Sequence, residues 1–342
     1  MLLLNAFEEV LMSKKVLVIG ATGSTGCHLT DALANHDFQV LATGRHPRTN
    51  PYYEQHGIEY FQLDISVPDS FSHLPASGID CVVLLAGAMP ARMRGYDPSQ
   101  YLNVNITGTL NVLEYCRRTN IPKIIFAQSH SDVAGHWNTG KLIPADAPRS
   151  LHLKGDHAVY IISKCAAVDL IEHYHQSFGI QSIYFRMPTV YCYWPSSIYY
   201  VDGQPKEMAY LGFIRKALAG EPLEIWGDPK AGKDIVYIKD FVQMLELAIV
   251  SPTAQGFYNV GSGIPTTLEE QIKGVADVFC QPGKMSEIRY RPDMPTQPSF
   301  FYDISRTVNE LGFVTRFPYP RILEDMKSEM SSFKFRDLVV VD

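Results

Sequence analysis

The chain predicts an α/β fold: a doubly wound parallel sheet carrying a smaller, discontinuous C-terminal α/β lobe. Three observations point there. Short runs that are apolar throughout recur between longer helical patterns. A glycine-rich turn joins the first such run to the first helical pattern. After about residue 190 the pattern changes to a stretch rich in Tyr, Pro and Ser. A strand buried on both faces is apolar along its whole length, which marks a parallel sheet covered by helices. Repeated strand–helix–strand units wind such a sheet in both directions.

In chain order the apolar runs are 16–19, 39–42, 58–63, 81–85, 123–127 and, after the long helical segment 155–178, 182–185. Residues 191–205 read as a loop. A helix at 207–219 follows, then short strands near 223–226 and 235–238. Residues 256–261 read as a strand returning to the main sheet, and helices near 266–280 and 304–311 close the chain.

Composition narrows the function classes. Of the 342 residues 46% are apolar and 19% charged, which is globular rather than disordered. The net charge of −6 comes with no basic run, so nucleic acid is not an expected partner. The six cysteines are scattered with no C-x-x-C pair, which fits reduced thiols in the cytoplasm and gives no zinc spacing. No apolar stretch reaches the ~20 residues that span a bilayer, so no membrane is expected. Residues 1–13 open on Met1-Leu2-Leu3-Leu4 but turn acidic at Glu8-Glu9, a tail rather than a signal peptide. His173 and His175 are two apart, on different faces of a helix, and no metal site is expected.

The glycine turn is Gly20-Ala21-Thr22-Gly23-Ser24-Thr25-Gly26. Gly20 permits the tight turn, Gly23 lets backbone approach a diphosphate, and Gly26 lets helix and strand pack closely. The helix start then offers free N–H groups and a positive dipole end to phosphates, with Thr22, Ser24 and Thr25 alongside. The turn therefore predicts a Rossmann-type dinucleotide-binding domain over residues 14–190 plus about 239–262. A substrate lobe takes 191–238 plus 263–342. An NAD enzyme carries Asp or Glu at the end of the second strand. Here that strand ends Thr43-Gly44-Arg45-His46-Pro47-Arg48, which favours NADP over NAD, with Arg45 for the 2′-phosphate. Asp64, with Ile65 beside it, either holds the adenine edge or caps the next segment.

Tyr160 and Lys164 lie four apart within a helical pattern, on one face. A tyrosine with a pKa of about 10 is a poor base at neutral pH. A neighbouring ammonium lowers that value, and the phenol can then pass a proton while hydride moves. The fifth run leads into Gln128-Ser129-His130-Ser131-Asp132, at the strand ends where ligands bind. Ser129, or Ser131 close behind it, is the candidate for holding the substrate oxygen. His130 is either an extra acid or base or a plain hydrogen-bonding group. The aromatics Tyr193, Trp194, Tyr199 and Tyr200 either stack on a sugar or base or pack the interlobe cleft.

With these motifs the chain resembles the extended short-chain dehydrogenase/reductase family, in its NAD-dependent epimerase/dehydratase group, over about residues 14–320. Besides the glycine loop and the Tyr160/Lys164 pair, the resemblance rests on Leu85-Ala86-Gly87-Ala88 and Asn103-Val104-Asn105-Ile106-Thr107-Gly108-Thr109. Phe185-Arg186-Met187-Pro188-Thr189-Val190-Tyr191, Asp234 to Asp240 and Tyr258-Asn259-Val260-Gly261 add to it. The resemblance implies an enzyme acting on a nucleotide sugar or related polyol. It also implies a homodimer built on helices 98–118 and 155–178. Leu85, Ala86 and Gly87 would line the nicotinamide side, Asn105 would support the site, and Pro188 and Val190 would lie near the nicotinamide.

Several positions depart from the family. His130-Ser131 stands where 4,6-dehydratases carry Asp-Glu, so that dehydration lacks its acid and base. Thr189 replaces a common Asn and Lys233 a common Arg, and these two join Ser131 and Arg291 as candidate substrate ligands. The expected function is an NAD(P)-dependent epimerase or reductase. The alternative is a non-catalytic NADP-binding redox sensor; such relatives commonly lack the Tyr–Lys pair that this chain keeps.

Overall fold

The computed structural model describes residues 14–47 and 52–338; the expected tail and Arg48 lie outside them. The main sheet is seven-stranded. Its strands are β1 (Lys15–Ile19), β2 (Gln39–Gly44), β3 (Glu59–Gln62), β4 (Cys81–Leu84), β5 (Lys123–Ser129), β7 (Gln181–Met187) and β14 (Gly256–Asn259). The spatial order is β14-β7-β5-β4-β1-β2-β3, with every pair parallel. Along β1, Val16 and Val18 enter one apolar core while Leu17 and Ile19 enter the other. That two-sided burial is why the strand has no polar alternation.

Helix α1 (Ser24–Asn35) follows β1, and α2 (Tyr52–Gln55) precedes β3. A π-helical stretch, Tyr101–Thr107, leads directly into α3 (Gly108–Arg118), and α4 (His157–Phe178) packs beside it. In the C-terminal half come α5 (Ala209–Ala219), α6 (Ile238–Val250), α7 (Leu268–Phe279), α8 (Ser305–Leu311) and α9 (Tyr319–Ser331). Small strand pairs knit this half together. β6 (Leu142–Ile143) pairs with β17 (Phe301–Tyr302), and β8 (Val190–Tyr191) with β13 (Val236–Tyr237). β11 (Leu223–Trp226) pairs with β16 (Ile288–Arg291), and β12 (Gly232–Asp234) with β15 (Pro265–Thr267).

Besides the short strands β6, β8, β12, β15, β16 and β17, which were not expected, the structure differs from the sequence reading in three places. The loop expected at 191–205 contains a hairpin of β9 (Ile198–Val201) and β10 (Gln204–Glu207). Its turn is Asp202-Gly203, with φ of 47° and 72°, the left-handed pair that Asp-Gly adopts readily. The strand expected at 235–238 ends at Tyr237, because Ile238 already opens α6. Helix α9 was not expected, although Ile322, Leu323 and Met326 give it a buried stripe.

The chain then folds back onto α1. Phe333 meets Tyr193 at 5.2 Å and Trp194 at 5.6 Å between ring centroids. Phe335 meets His28 at 4.7 Å and Tyr52 at 5.6 Å, and Lys334 pairs with Asp31. Tyr193 and Trp194 thus pack the protein's own C-terminal segment.

One buried ion pair fixes the loop after β5. Arg186, 2% exposed, donates from Nε to both oxygens of the fully buried Asp132, at 2.9 and 3.1 Å. Its Nη1 also donates to the Ala145 carbonyl at 2.9 Å and Asn259 Oδ1 at 3.0 Å. β5, β7 and β14 are thereby tied at their carboxyl ends. Removing one partner strands a buried charge. Asp132→Ala is expected to cost about 3–5 kcal/mol, read as a lowered midpoint in urea denaturation.

Candidate active site

The glycine turn sits at the carboxyl end of β1. Gly20 has φ +95°, and a Cβ there would lie 2.7 Å from the Ala86 amide nitrogen. A Cβ on Gly26 would lie 2.2 Å from the Gly20 carbonyl oxygen. Protein backbone therefore forbids side chains at both. Gly23 differs: the nearest atom to a Cβ there would be 3.5 Å away, so the protein itself leaves room for a side chain. Gly23 is also the N-cap of α1, with no side-chain cap and no acidic residue in the first turn. The first amides of α1, at Ser24 and Thr25, are left for an external acceptor. These residues fit a dinucleotide diphosphate.

At the end of β2, Gly44 is closed off. A Cβ there would meet Tyr60 Oη at 2.6 Å and Thr22 Cγ2 at 2.8 Å, so no carboxylate side chain fits without displacing them. Arg45 is exposed and pairs with no carboxylate among the described residues. Asp64 caps its own turn: Oδ1 accepts from the Ser66 amide at 2.9 Å and hydroxyl at 2.6 Å. The Ile65 carbonyl accepts from Asn111 Nδ2 at 2.8 Å.

After β4, Leu85 and Ala86 both donate their amides to the Ile19 carbonyl at 2.9 Å, which holds that loop beside the glycine turn. Asn105, 3% exposed within the π-helical stretch, grips the loop from the other side. Its Oδ1 accepts from the Ala88 amide at 2.8 Å, and its Nδ2 donates to the Ala88 carbonyl and Ser163 Oγ, both at 2.9 Å. Both its amide hydrogens are thus spent on protein, and its Oδ1 lies against Gly87. A π turn often marks such a functional site. Ser163 was not anticipated as its partner, since nothing in a spacing of 58 residues announces the bond.

On α4, Tyr160 is half-buried, with the Ser129 hydroxyl near enough to its phenol to favour the phenolate. Of the two candidate serines, Ser129 is the one at the phenol; its Oγ also accepts from the Ser131 amide at 3.3 Å. Lys164 is 6% exposed, and its ammonium lies 3.8 Å from the centre of the Phe126 ring. It has no carboxylate partner among the described residues. Burial pushes Lys164 down to about 7. Burial also pushes the Tyr160 phenol up, with the Ser129 hydrogen bond opposing it. The ammonium was expected to lower the phenol. In the protein alone desolvation dominates both groups, because each is held out of water in one cleft. Two unanticipated neighbours frame the phenol ring: Tyr101 at 6.0 Å and His157 at 6.1 Å between centroids.

Pro188 is buried and Thr189 exposed at the step between β7 and β8, and Val190 pairs in register with Val236. Lys233, on β12, has its ammonium 5.6 Å from the Tyr191 ring centre. Arg291 is less available than expected, being paired with Glu224 at 3.2 Å and Asp293 at 2.9 Å. Glu224 lines a cavity of about 600 Å³ in the C-terminal half, walled by Tyr199, Phe213, Trp226, Leu268 and Pro295. Tyr200 instead accepts from Arg94 Nε at 2.8 Å. Among the described residues no three His, Cys, Asp or Glu side chains gather as metal ligands, and no helix is long and apolar enough to cross a membrane.

A parallel sheet with a glycine turn after its first strand, and a Tyr–Lys helix facing a serine at the end of its fifth, define an extended short-chain dehydrogenase/reductase. More particularly, residues 16–261 match the NAD dependent epimerase/dehydratase family, and the chain is an enzyme belonging to it. It is 27% identical over 262 residues to a putative UDP-glucose 4-epimerase of Methanocaldococcus jannaschii, covering 75% of this chain and 79% of that protein. It is 26% identical over 260 residues to a UDP-glucuronate 4-epimerase of Thermodesulfobacterium geofontis, covering 72% and 75%. The crystal structure of a UDP-glucose 4-epimerase from Thermotoga maritima with UDP-glucose superimposes with a TM-score of 0.76 at 20% identity, covering 93% of this chain and 99% of that one.

The buried ammonium carries a sign that can be checked. Lys164 has a folded value of about 7 against an ordinary 10.5, so the folded state binds this proton less well than the unfolded state. The resulting destabilisation is full below pH 7 and fades as pH rises towards 10.5. Lys164→Met is expected to gain stability on the order of 3 kcal/mol at pH 7 and below. Melting curves across the pH range should show the gain vanish by the alkaline end.

Proposed function

We propose that the chain is a nucleotide-sugar epimerase that works through Tyr160, Ser129 and Lys164, with NADP as the preferred dinucleotide and NAD as the alternative. The observation that carries this reading is the Ser129 hydroxyl near the Tyr160 phenol, one helical turn from a buried Lys164 that has no carboxylate partner among the described residues. The names of the relatives, UDP-glucose and UDP-glucuronate 4-epimerases, support the substrate class.

When bound, nicotinamide supplies the chemistry of hydride exchange at a carbinol carbon. The chain's own groups do the rest. Ser129 holds the reacting oxygen of the sugar. Tyr160 takes the proton from that oxygen and returns it; burial raises its phenol, and a positive charge in the cleft would lower it. Lys164 holds the ribose with its ammonium. Asn105 keeps Ala86 and Gly87 against the reacting face. The cavity beside Trp226 receives the nucleotide, whose base stacks on aromatic walls. Lys233 faces the diphosphate, and Arg291 joins it by exchanging Glu224 and Asp293 for phosphate oxygens.

For the dinucleotide, the closed Gly44 excludes the ribose-binding carboxylate and exposed Arg45 offers a guanidinium to a 2′-phosphate. The family's own name favours NAD. The same reading includes a homodimer in the cytoplasm. Leu102, Leu110 and Ile162 are 45%, 37% and 44% exposed on the helices that the resemblance assigns to the partner. A redox-consuming reductase is the second reading, favoured only by the same Arg45.

Two outcomes test these statements. Tyr160→Phe is expected to lower turnover of UDP-glucose or UDP-glucuronate by at least about a hundredfold while dinucleotide binding persists. Turnover with no net absorbance change at 340 nm marks the epimerase, and steady loss of NADPH marks the reductase. Arg45→Ala is expected to weaken NADPH binding about tenfold and leave NADH binding within about twofold, by fluorescence titration.

A further inference from the structure

We propose that His130 is a substrate-binding residue, presenting an Nε2–H donor of fixed tautomer to an oxygen substituent next to the reacting carbon of the sugar. This rests on the reading of the Tyr160 cleft given above.

His130 directly follows Ser129, so its Cα lies about 3.8 Å from that of the residue at the phenol. Its ring is clamped between Trp137 at 4.7 Å and Phe300 at 4.9 Å, with Tyr302 at 6.2 Å. Nδ1 is hydrogen-bonded to Tyr302 Oη at 2.8 Å. Nε2 has no partner among the described residues, yet it is not enclosed by protein. One nitrogen is thus committed and the other faces open space.

The tautomer follows from Tyr302, a buried residue whose hydroxyl has no acceptor other than His130 Nδ1 among the described residues. A buried phenol proton aimed anywhere else would be left unsatisfied, so the phenol donates to Nδ1. The ring proton then sits on Nε2, pointing outward.

Its charge state follows from its surroundings. Burial, then Lys233 from β12, Arg186 from β7 and His157 from α4 all disfavour the imidazolium, and hold the ring down to about 3. Arg186 is matched by Asp132, while Lys233 has no carboxylate partner among the described residues. A ring that stays neutral across the working range is poorly suited to passing protons and well suited to orienting an acceptor. A substrate that fills the cleft but lacks the oxygen displaces water from Nε2 without replacing its hydrogen bond, which is the kind of mismatch a site rejects.

The test has two arms. In the full chain labelled with ¹⁵N-histidine, the His130 signals are assigned by their loss in His130→Gln. They are expected to show one protonated Nε2 and one bare Nδ1, unchanged from pH 8 to pH 5.5. Tyr302→Phe is expected to mix the tautomers. An Nδ1–H ring, or an imidazolium forming near pH 6, overturns the proposal whatever the enzyme's substrate. In the second arm, with UDP-glucose or UDP-glucuronate as probe, His130→Phe is expected to lower kcat/KM about tenfold and His130→Gln by less than about threefold. With the 3-deoxy and 6-deoxy analogues of UDP-glucose, the penalty of His130→Phe should disappear for one of the two. An equal penalty on both, or none on the parent, overturns the role. Failure to turn over either parent sugar overturns the reading of the cleft instead, and leaves the ring state measured on its own.

Discussion

The site depends on keeping a cation out of water without giving it an anion. Lys164 rests on the face of Phe126, and no carboxylate comes within pairing distance among the described residues. A carboxylate there would stabilise the fold and neutralise the charge that the proposed chemistry uses. Contact with an aromatic face compensates only in part. The remaining unfavourable energy is a standing cost, and the surrounding elements are rigid enough to sustain it.

The contrast with Arg186 shows how the two kinds of buried cation are treated. Arg186 has its carboxylate, an amide oxygen and a backbone carbonyl around it, and serves as a fastener. It fixes the strand ends from which Ser129 and His130 project. Asn105 does the same work opposite, joining the loop after β4 to α4 through Ala88 and Ser163. Satisfied polar groups thus surround the unsatisfied one, which is how a strained group keeps a single geometry.

Much of this was legible in the residues, for physical reasons that also mark where legibility stops. Strands buried on both faces announce themselves as unbroken apolar runs, and Gly20 and Gly26 stand where backbone leaves no room for a Cβ. The Tyr160–Lys164 spacing is local, so helix geometry alone brings the pair together. The hairpin at 198–207 was missed because Tyr199 and Tyr200 suggested a cleft loop, while the decisive signal was the Asp202-Gly203 turn. The bond from Asn105 to Ser163 and the Arg186–Asp132 pair depend on chain crossings that no local pattern encodes. The burial that raises the phenol was not legible in the Tyr–Lys spacing, because burial is a property of the whole cleft. Arg291 looked free for phosphate since its partner Glu224 comes from a neighbouring strand 67 residues away.

The fold-back of residues 333–335 onto α1 bears on the order in which the molecule can be completed. Helix α1 leaves the ribosome long before the segment that covers its flank with Phe335, against His28 and Tyr52. Strand β14, an edge of the main sheet, also follows the other six strands. The apolar surface of the earlier elements therefore stays bare until residues 256–259 and 333–335 emerge. Such contacts between distant parts of a chain slow folding and prolong exposure to aggregation.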